Sequence, residues 1–189
     1  MEWGAVAYLK QSKYGLGETD IGINNNSDFT TGCGATAGSG SSRTCEAYNT
    51  TNGMLASTTG NVYGVYDMSG GAYEYVMGNM VNSSGSFYSQ NSGFSSAPNA
   101  KYYDKYTYSS DWSTHSRGKL GDATKETLKS YGSSTGGWYD EYALFVSSSS
   151  SWFFRGGGYT DGSDGCVFYF NDFDGYAYSD VSARAVLIP

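Results

Sequence analysis

The sequence predicts a single α+β domain with a large share of irregular loop. Three observations carry this. Two short stretches have helical spacing and helix-ending signals, a few strand-like runs stand between glycines, and the remainder is Ser, Asn, Thr and Gly without a period. At 189 residues one domain with a sizeable core is the simplest reading. It divides into a scaffold, 1–152, and a C-terminal segment, 153–189. The abrupt start at Met1-Glu2-Trp3, with no leader-like stretch, is read as a domain excised from a longer protein.

Glu2–Lys13, EWGAVAYLKQSK, places Trp3, Val6, Ala7 and Leu9–Lys10 near helical spacing and predicts a short amphipathic helix ending near Tyr14, with Gly15 as its stop. From Gly17 to Ser57 the pattern dissolves into a long loop, with short strands such as Asp20–Ile23. The cluster Asn24 to Asp28 offers oxygen ligands for a structural calcium ion, but a polar turn is the favoured reading.

Asn61–Val76, NVYGVYDMSGGAYEYV, is the most specific stretch. Gly70-Gly71 allow a tight bend before a strand, Ala72–Val76. Asp67 and Glu74 could be paired carboxylates for acid–base chemistry, but tying loops together by accepting hydrogen bonds suits them better. Gly78–Ser116 reads as an irregular insertion with a strand near Lys101–Tyr108. It holds the single histidine, His115, which has no nucleophile motif beside it.

Asp122–Tyr131 reads as a second helix, with Asp122 as N-cap and Gly132 just past its end. Gly136–Val146 is expected to carry Trp138, Tyr142, Leu144 and Phe145 into the core, and Ser147–Ser151 to form an exposed connection. The segment that follows has apolar ends, Phe153-Phe154-Arg155 and Ala183 to Ile188, around a run crowded with Tyr, Phe, Asp, Asn, Ser and Gly. Tyrosine gives stiff contact area at low entropy cost and the small polar residues give adaptable hydrogen bonding, the chemistry of a binding face. The first 152 residues would be the frame that holds it still.

Composition narrows the partners. Net charge is −7 and only 15% of residues are charged, which argues against nucleic acid as the main partner. No run of about 18 apolar residues exists, so no membrane span is expected. Cys33 and Cys45 flank a Gly/Ser/Thr loop and could close it as a disulfide in an oxidising compartment, or be free thiols; the disulfide is favoured. Cys166 has no obvious partner, and no cysteine spacing resembles a metal site.

Three motifs carry a family resemblance. NVYGVYDMSGGAYEYV resembles the N-x-x-G-L-x-D-M-x-G-N-x-x-E-W signature of formylglycine-generating (sulfatase-modifying factor) proteins, FFRGGGY resembles their R-G-G-S block, and Ala183-Arg184 stands where their closing G-F-R falls. The resemblance implies a C-type lectin-like fold with two short helices, small antiparallel sheets and much loop. It does not extend to activity. The catalytic members use a nearby pair of C-terminal cysteines to hold copper, whereas this tail has Cys166 alone, and the histidine-rich iron sites of related enzymes have no counterpart.

Within that fold the tail resembles the variable proteins of diversity-generating retroelements, in which AAC codons near the C-terminus are randomised to NNC codons. Such codons never encode Lys, Glu, Gln, Met or Trp. Residues 1–152 contain 24 of these and residues 153–189 none, where about six would fall at equal density. The resemblance implies one solvent-facing variable surface made by Tyr159, Asp161, Asp164, Cys166, Tyr169, Asp172, Asp174, Tyr176, Tyr178 and Asp180. Phe168, Phe170, Val186 and Ile188 would be structural. Arg155 and Arg184 would pair with carboxylates or carbonyls, with Asp67 and Glu74 as candidate partners.

The expected function is therefore a non-catalytic domain, without a cofactor, that binds a protein or glycan ligand on another cell or phage target. It would be displayed outside the cell, on a bacterial surface or a phage particle. The alternatives are a formylglycine-generating-type enzyme, a calcium-dependent glycan-binding lectin, and a purely structural pilus or tail-fibre domain.

Overall fold

The computed structural model describes residues 2–27, 46–110 and 142–185. The expected helix Asp122–Tyr131, together with Asp28, Cys33, Cys45, His115, Trp138, Val186 and Ile188, lies outside them. Among the described residues the fold is α+β, with one α-helix, α1 (Glu2–Gln11), and one small mixed sheet.

The sheet is organised on β1 (Tyr73–Met80). Its second half runs parallel to β2 (Asp104–Tyr106), in register Gly78 with Asp104. On its other side β3 (Trp152–Arg155) lies antiparallel, with Tyr75 opposite Phe154, and β4 (Phe170–Phe173) continues the sheet antiparallel to β3. The first residues of β1 pair in parallel with β5 (Val181–Ser182). Gly70 and Gly71 adopt φ of 71° and 72°, a left-handed bend open to glycine without steric penalty, and so turn the chain into β1 as expected.

Strand alternation gives the sheet two unlike faces. Val76, Phe153, Arg155 and Phe170 lie on one. Phe153 packs among Tyr106, Phe145 and Phe170 with ring centroids 5.1, 4.9 and 6.3 Å away. Met80, Ala143 and Val146 complete this cluster. Val76 also touches a second cluster, under α1, made by Trp3, Ala7, Ile21, Met68, Val167 and Phe168. Tyr73, Tyr75, Phe154, Asn171 and Phe173 lie on the opposite face.

α1 buries Trp3, Gly4, Ala7 and Lys10, a stripe at helical spacing, and leaves Leu9 on the exposed side. The inward residue at its end is thus Lys10 rather than Leu9. Its ammonium group lies 3.4 Å from Asp20 and 5.7 Å from the Phe168 ring, and burial raises the Asp20 pKa although Lys10 opposes the shift. The helix stops at Gln11, short of Gly15, and the Lys10 carbonyl accepts from the amides of both Leu16 and Gly17.

Four expectations are corrected here. Asp20–Ile23 is not a strand: only Asn24 bridges, to Gly70, because Ile21 and Ile23 are held by packing while their neighbours bond to loops. The strand near Lys101–Tyr108 shrinks to β2, since Ala100–Tyr102 is a 3₁₀ turn capped by the Asn99 side chain. Of the Gly136–Val146 core residues that are described, Phe145 is buried but Tyr142 and Leu144 are half-buried. The serine run is exposed only at its middle, Ser149. Ser147 and Ser150 pair in a tight reversal, and the Gln90 amide oxygen accepts from the Ser151 amide and hydroxyl, so Ser147 and Ser151 go inside with their polar groups satisfied.

Phe153 sits at the centre of the larger cluster, 2% exposed. Phe153→Ala is expected to cost about 3–5 kcal/mol in a denaturant titration, the usual range for emptying such a site.

Candidate functional site

The C-terminal segment leaves β3 through three glycines. At Gly158 an added Cβ would stand 2.7 Å from the Tyr73 ring, so only glycine lets the chain pass this close over β1. The Tyr159 amide then donates to the Gly71 carbonyl at 2.8 Å. Asp161 closes the turn: its carboxylate accepts from the Gly158 amide at 2.8 Å and from the Tyr73 hydroxyl at 2.9 Å. A short 3₁₀ turn, Gly162–Asp164, brings Asp164 alongside.

From there the chain dives inward. Cys166, Val167, Phe168, Tyr169 and Phe170 are all buried, and the Trp3 indole donates to the Val167 carbonyl at 2.9 Å. This corrects two expected surface positions. Cys166 is 1% exposed and Tyr169 is 4% exposed, because α1 and the sheet cover this stretch and Tyr169 wedges between the rings of Tyr73 and Tyr142, 5.9 and 5.8 Å away. Asp172 is half-buried rather than outward-facing: β4 turns it toward the face of Phe153 and Phe170, where its carboxylate accepts from the Ser147 hydroxyl at 3.3 Å. Burial raises its pKa, and Ser147 opposes the rise. Phe168 and Phe170 are structural, as expected.

Apart from Tyr159, which is half-buried beside Gly71, the remaining expected positions fall at two ends of one face. At one end Asp161, Asp164 and the edge of Tyr169 join Tyr142 and Asn171 around an open cleft of about 230 Å³. At the other, Asp174, Tyr176, Tyr178 and Asp180 form the exposed tip, with Tyr176 50% and Tyr178 46% exposed. Stacked rings connect the ends: Tyr73 on Phe154 at 5.2 Å, Phe154 on Phe173 at 4.3 Å, and Phe173 edge-on to Tyr178 at 5.2 Å. Each such pair adds about 0.5–1.5 kcal/mol beyond area burial.

What holds the tip is chiefly its main chain. The Tyr75 hydroxyl donates to the Tyr176 carbonyl at 2.9 Å, the Tyr73 amide donates to the Asp180 carbonyl at 2.9 Å, and Asn91 donates to the Asp174 carbonyl from both its amide and its side chain, each at 3.3 Å. The donors all belong to the scaffold. The acceptors are peptide groups, present whatever side chain the tip carries. The Asp174 carboxylate adds a local turn by accepting from the Tyr176 amide.

Arg184 ends the segment with a fork. Its Nε donates to both Glu74 oxygens at 2.8 Å, its Nη2 also meets Glu74, and its two Nη groups reach the carbonyls of Tyr66 and Asp67 at 3.0 and 3.2 Å. The expected Arg184–Glu74 pair is thus present, whereas Asp67 contributes its carbonyl. Its carboxylate accepts instead from the Asn24 side-chain NH₂ at 3.3 Å. Asn24 also accepts from the Asn26 amide, so the start of the Asn-rich cluster folds as a polar turn. Arg155 is buried, its guanidinium 5.5 Å from the Trp3 ring and 5.4 Å from the Phe170 ring.

Tyr73, Tyr75, Tyr142 and Asn171 escaped the sequence reading as site residues. The first two were legible only as strand residues; their alternation about Glu74 was the available signal for a shared face. Among the described residues no group of three His, Cys, Asp or Glu is placed to hold a metal ion, and no helix is long and apolar enough to cross a membrane. No family model, curated protein or solved structure matches the chain.

Two outcomes are expected. Burial raises the pKa of Asp20, Glu74, Asp164 and Asp172, with Arg184 opposing the rise at Glu74 and the Asp161 charge adding to it at Asp164. The folded state therefore binds these protons more tightly than the unfolded chain does. Stability rises as pH falls from 7 through the raised folded values toward the ordinary 3.8–4.5. Tyr73, Tyr75 and Tyr169 are also pushed up by burial and by nearby aspartates, so stability is lost as pH rises above about 10. Thermal melts from pH 4.5 to 11 check both limbs. Separately, Tyr75→Phe, which removes only the donor to Tyr176, should cost about 1 kcal/mol in a denaturant titration.

Proposed function

We propose that this chain is a non-catalytic ligand-binding domain with a C-type lectin-like fold, akin to formylglycine-generating proteins, whose C-terminal segment is diversified by retroelement mutagenesis. It would act at a bacterial surface or on a phage particle, taking a different protein or glycan ligand for each tail sequence. The observation that carries this reading is the way the tip is anchored. Scaffold donors grip the peptide groups of Asp174, Tyr176 and Asp180, and the side chains at those positions are left to change without loosening the backbone. A binding face built for variation needs that separation.

The burial of Cys166 and Tyr169, and the inward turn of Asp172, narrow the proposed contact surface. It consists of Tyr159, Asp164, Asp174, Tyr176, Tyr178 and Asp180, with aromatic contact at its centre and hydrogen bonds around it, while Asp161 beside them holds the turn through its carboxylate. Cys166, 1% exposed, sits where it packs rather than where a copper-bound thiolate would meet substrate.

The test is genetic. DNA flanking the coding segment should carry a near-copy of the part encoding 153–189, with AAC at the differing codons, beside a reverse transcriptase gene. Related isolates should differ at the six contact codons while 1–152 stay constant. Isolates whose changes spread evenly over the chain, with no template copy, would contradict the proposal.

A further inference from the structure

The cleft at the inner end of the face has a chemistry of its own. Two carboxylates, Asp161 and Asp164, and the side chain of Asn171 line it, and the stacked rings of Tyr142 and Tyr169 form its aromatic wall. Among the described residues its lining includes no basic group. Asp161 is locked by donors on both oxygens, Tyr73 on one and the Gly158 amide on the other, so its charge stays fixed in place at the rim. Burial and, after it, the neighbouring Asp161 charge disfavour ionisation of Asp164, and a cation between the two carboxylates would relieve their repulsion. The volume, about 230 Å³, lies below the range of pockets for whole small molecules but several times that of one water, which suits a single side-chain head group.

We propose that this cleft receives the guanidinium of an arginine presented by a protein partner. The proposal rests on the ligand-binding reading above and names the chemistry at one end of that face. Guanidinium fits better than other head groups for three reasons. It is always charged, its planar fork matches a carboxylate, and it stacks on aromatic rings. The net charge of −7 adds long-range attraction for a basic surface. Asp164 supplies the carboxylate for the fork, the Asn171 amide oxygen, which already accepts from the Asp172 amide, adds its second lone pair, and the tyrosine wall covers the flat face. Asp161 holds the turn and adds field.

The test uses the whole chain, labelled with ¹⁵N, and two short blocked peptides, acetyl-Gly-Arg-Gly-amide and its citrulline counterpart. Citrulline keeps the shape of arginine and removes the charge. The arginine peptide should give saturable shifts at the amides of residues 161–165 and at the Asn171 side-chain NH₂, and the citrulline peptide none at equal concentration. Asp164→Asn, which leaves the bonds of Asp161 to Tyr73 and Gly158 in place, should weaken binding about tenfold. Equal shifts with citrulline, unchanged affinity in Asp164→Asn, or shifts produced by methyl glycosides but not by the arginine peptide would overturn the proposal. None of these results bears on whether the tail varies between isolates, so the cleft and the diversified-tail reading can fail separately.

Discussion

The ladder between Glu74–Val76 and Phe153–Arg155 is the constraint on which the C-terminal face depends. It fixes β1 against β3 and so sets the aromatic pairs of the outer face at their spacing. β1 also pairs with β2 and β5, so one strand connects the insertion, the start of the tail and its end. The bonds that make these pairings are between peptide groups. They are indifferent to side chains, and they leave Tyr73 and Tyr75 free to reach across with their hydroxyls, one to a carboxylate in the turn and one to a carbonyl in the tip.

Side-chain anchors act at the boundaries of the segment. Arg155 at its start is clamped between aromatic rings, and Arg184 near its end is forked onto Glu74 and two carbonyls. Such a buried or half-buried pair is no large source of stability, since removing charges from water costs much of what their attraction returns. Its value is positional. Glu74 is nearly buried, and only a guanidinium arriving from one direction satisfies it, so Arg184 specifies where the tail ends. Between the two arginines the burial of Val167, Phe168 and Phe170 supplies the apolar driving force.

Much of this was legible in the sequence. The Asn61–Val76 stretch announced its bend through Gly70-Gly71 and its strand through Tyr73–Val76. Phe153–Arg155 read as a strand end, and Arg184 with Glu74 read as a pair. The inward run at Cys166–Phe170 was not legible in full. Its run Cys-Val-Phe-Tyr-Phe fits a strand of a surface hairpin as well as a crossing beneath a helix, and the three-dimensional position of Trp3 decides between them. Which of Leu9 and Lys10 turns inward was open for a similar reason: a buried lysine makes sense once Asp20 and Phe168 are known to surround it. The end of the serine run, Ser151, went inside because Gln90, far away in sequence, satisfies it. In each case the missing information was a partner distant along the chain.

The central claim is that scaffold groups, not outward side chains, hold the backbone of the tip. Hydrogen exchange on a chain carrying Tyr176→Ser, Tyr178→Ser and Asp180→Ser together measures this directly. Protection of the Tyr73, Asn91 and Val181 amides should stay within about twofold of the parent, the scale of ordinary surface substitutions. Loss of protection at those amides by orders of magnitude, with the core strands still protected, would show that the side chains themselves hold the tip and would contradict the account.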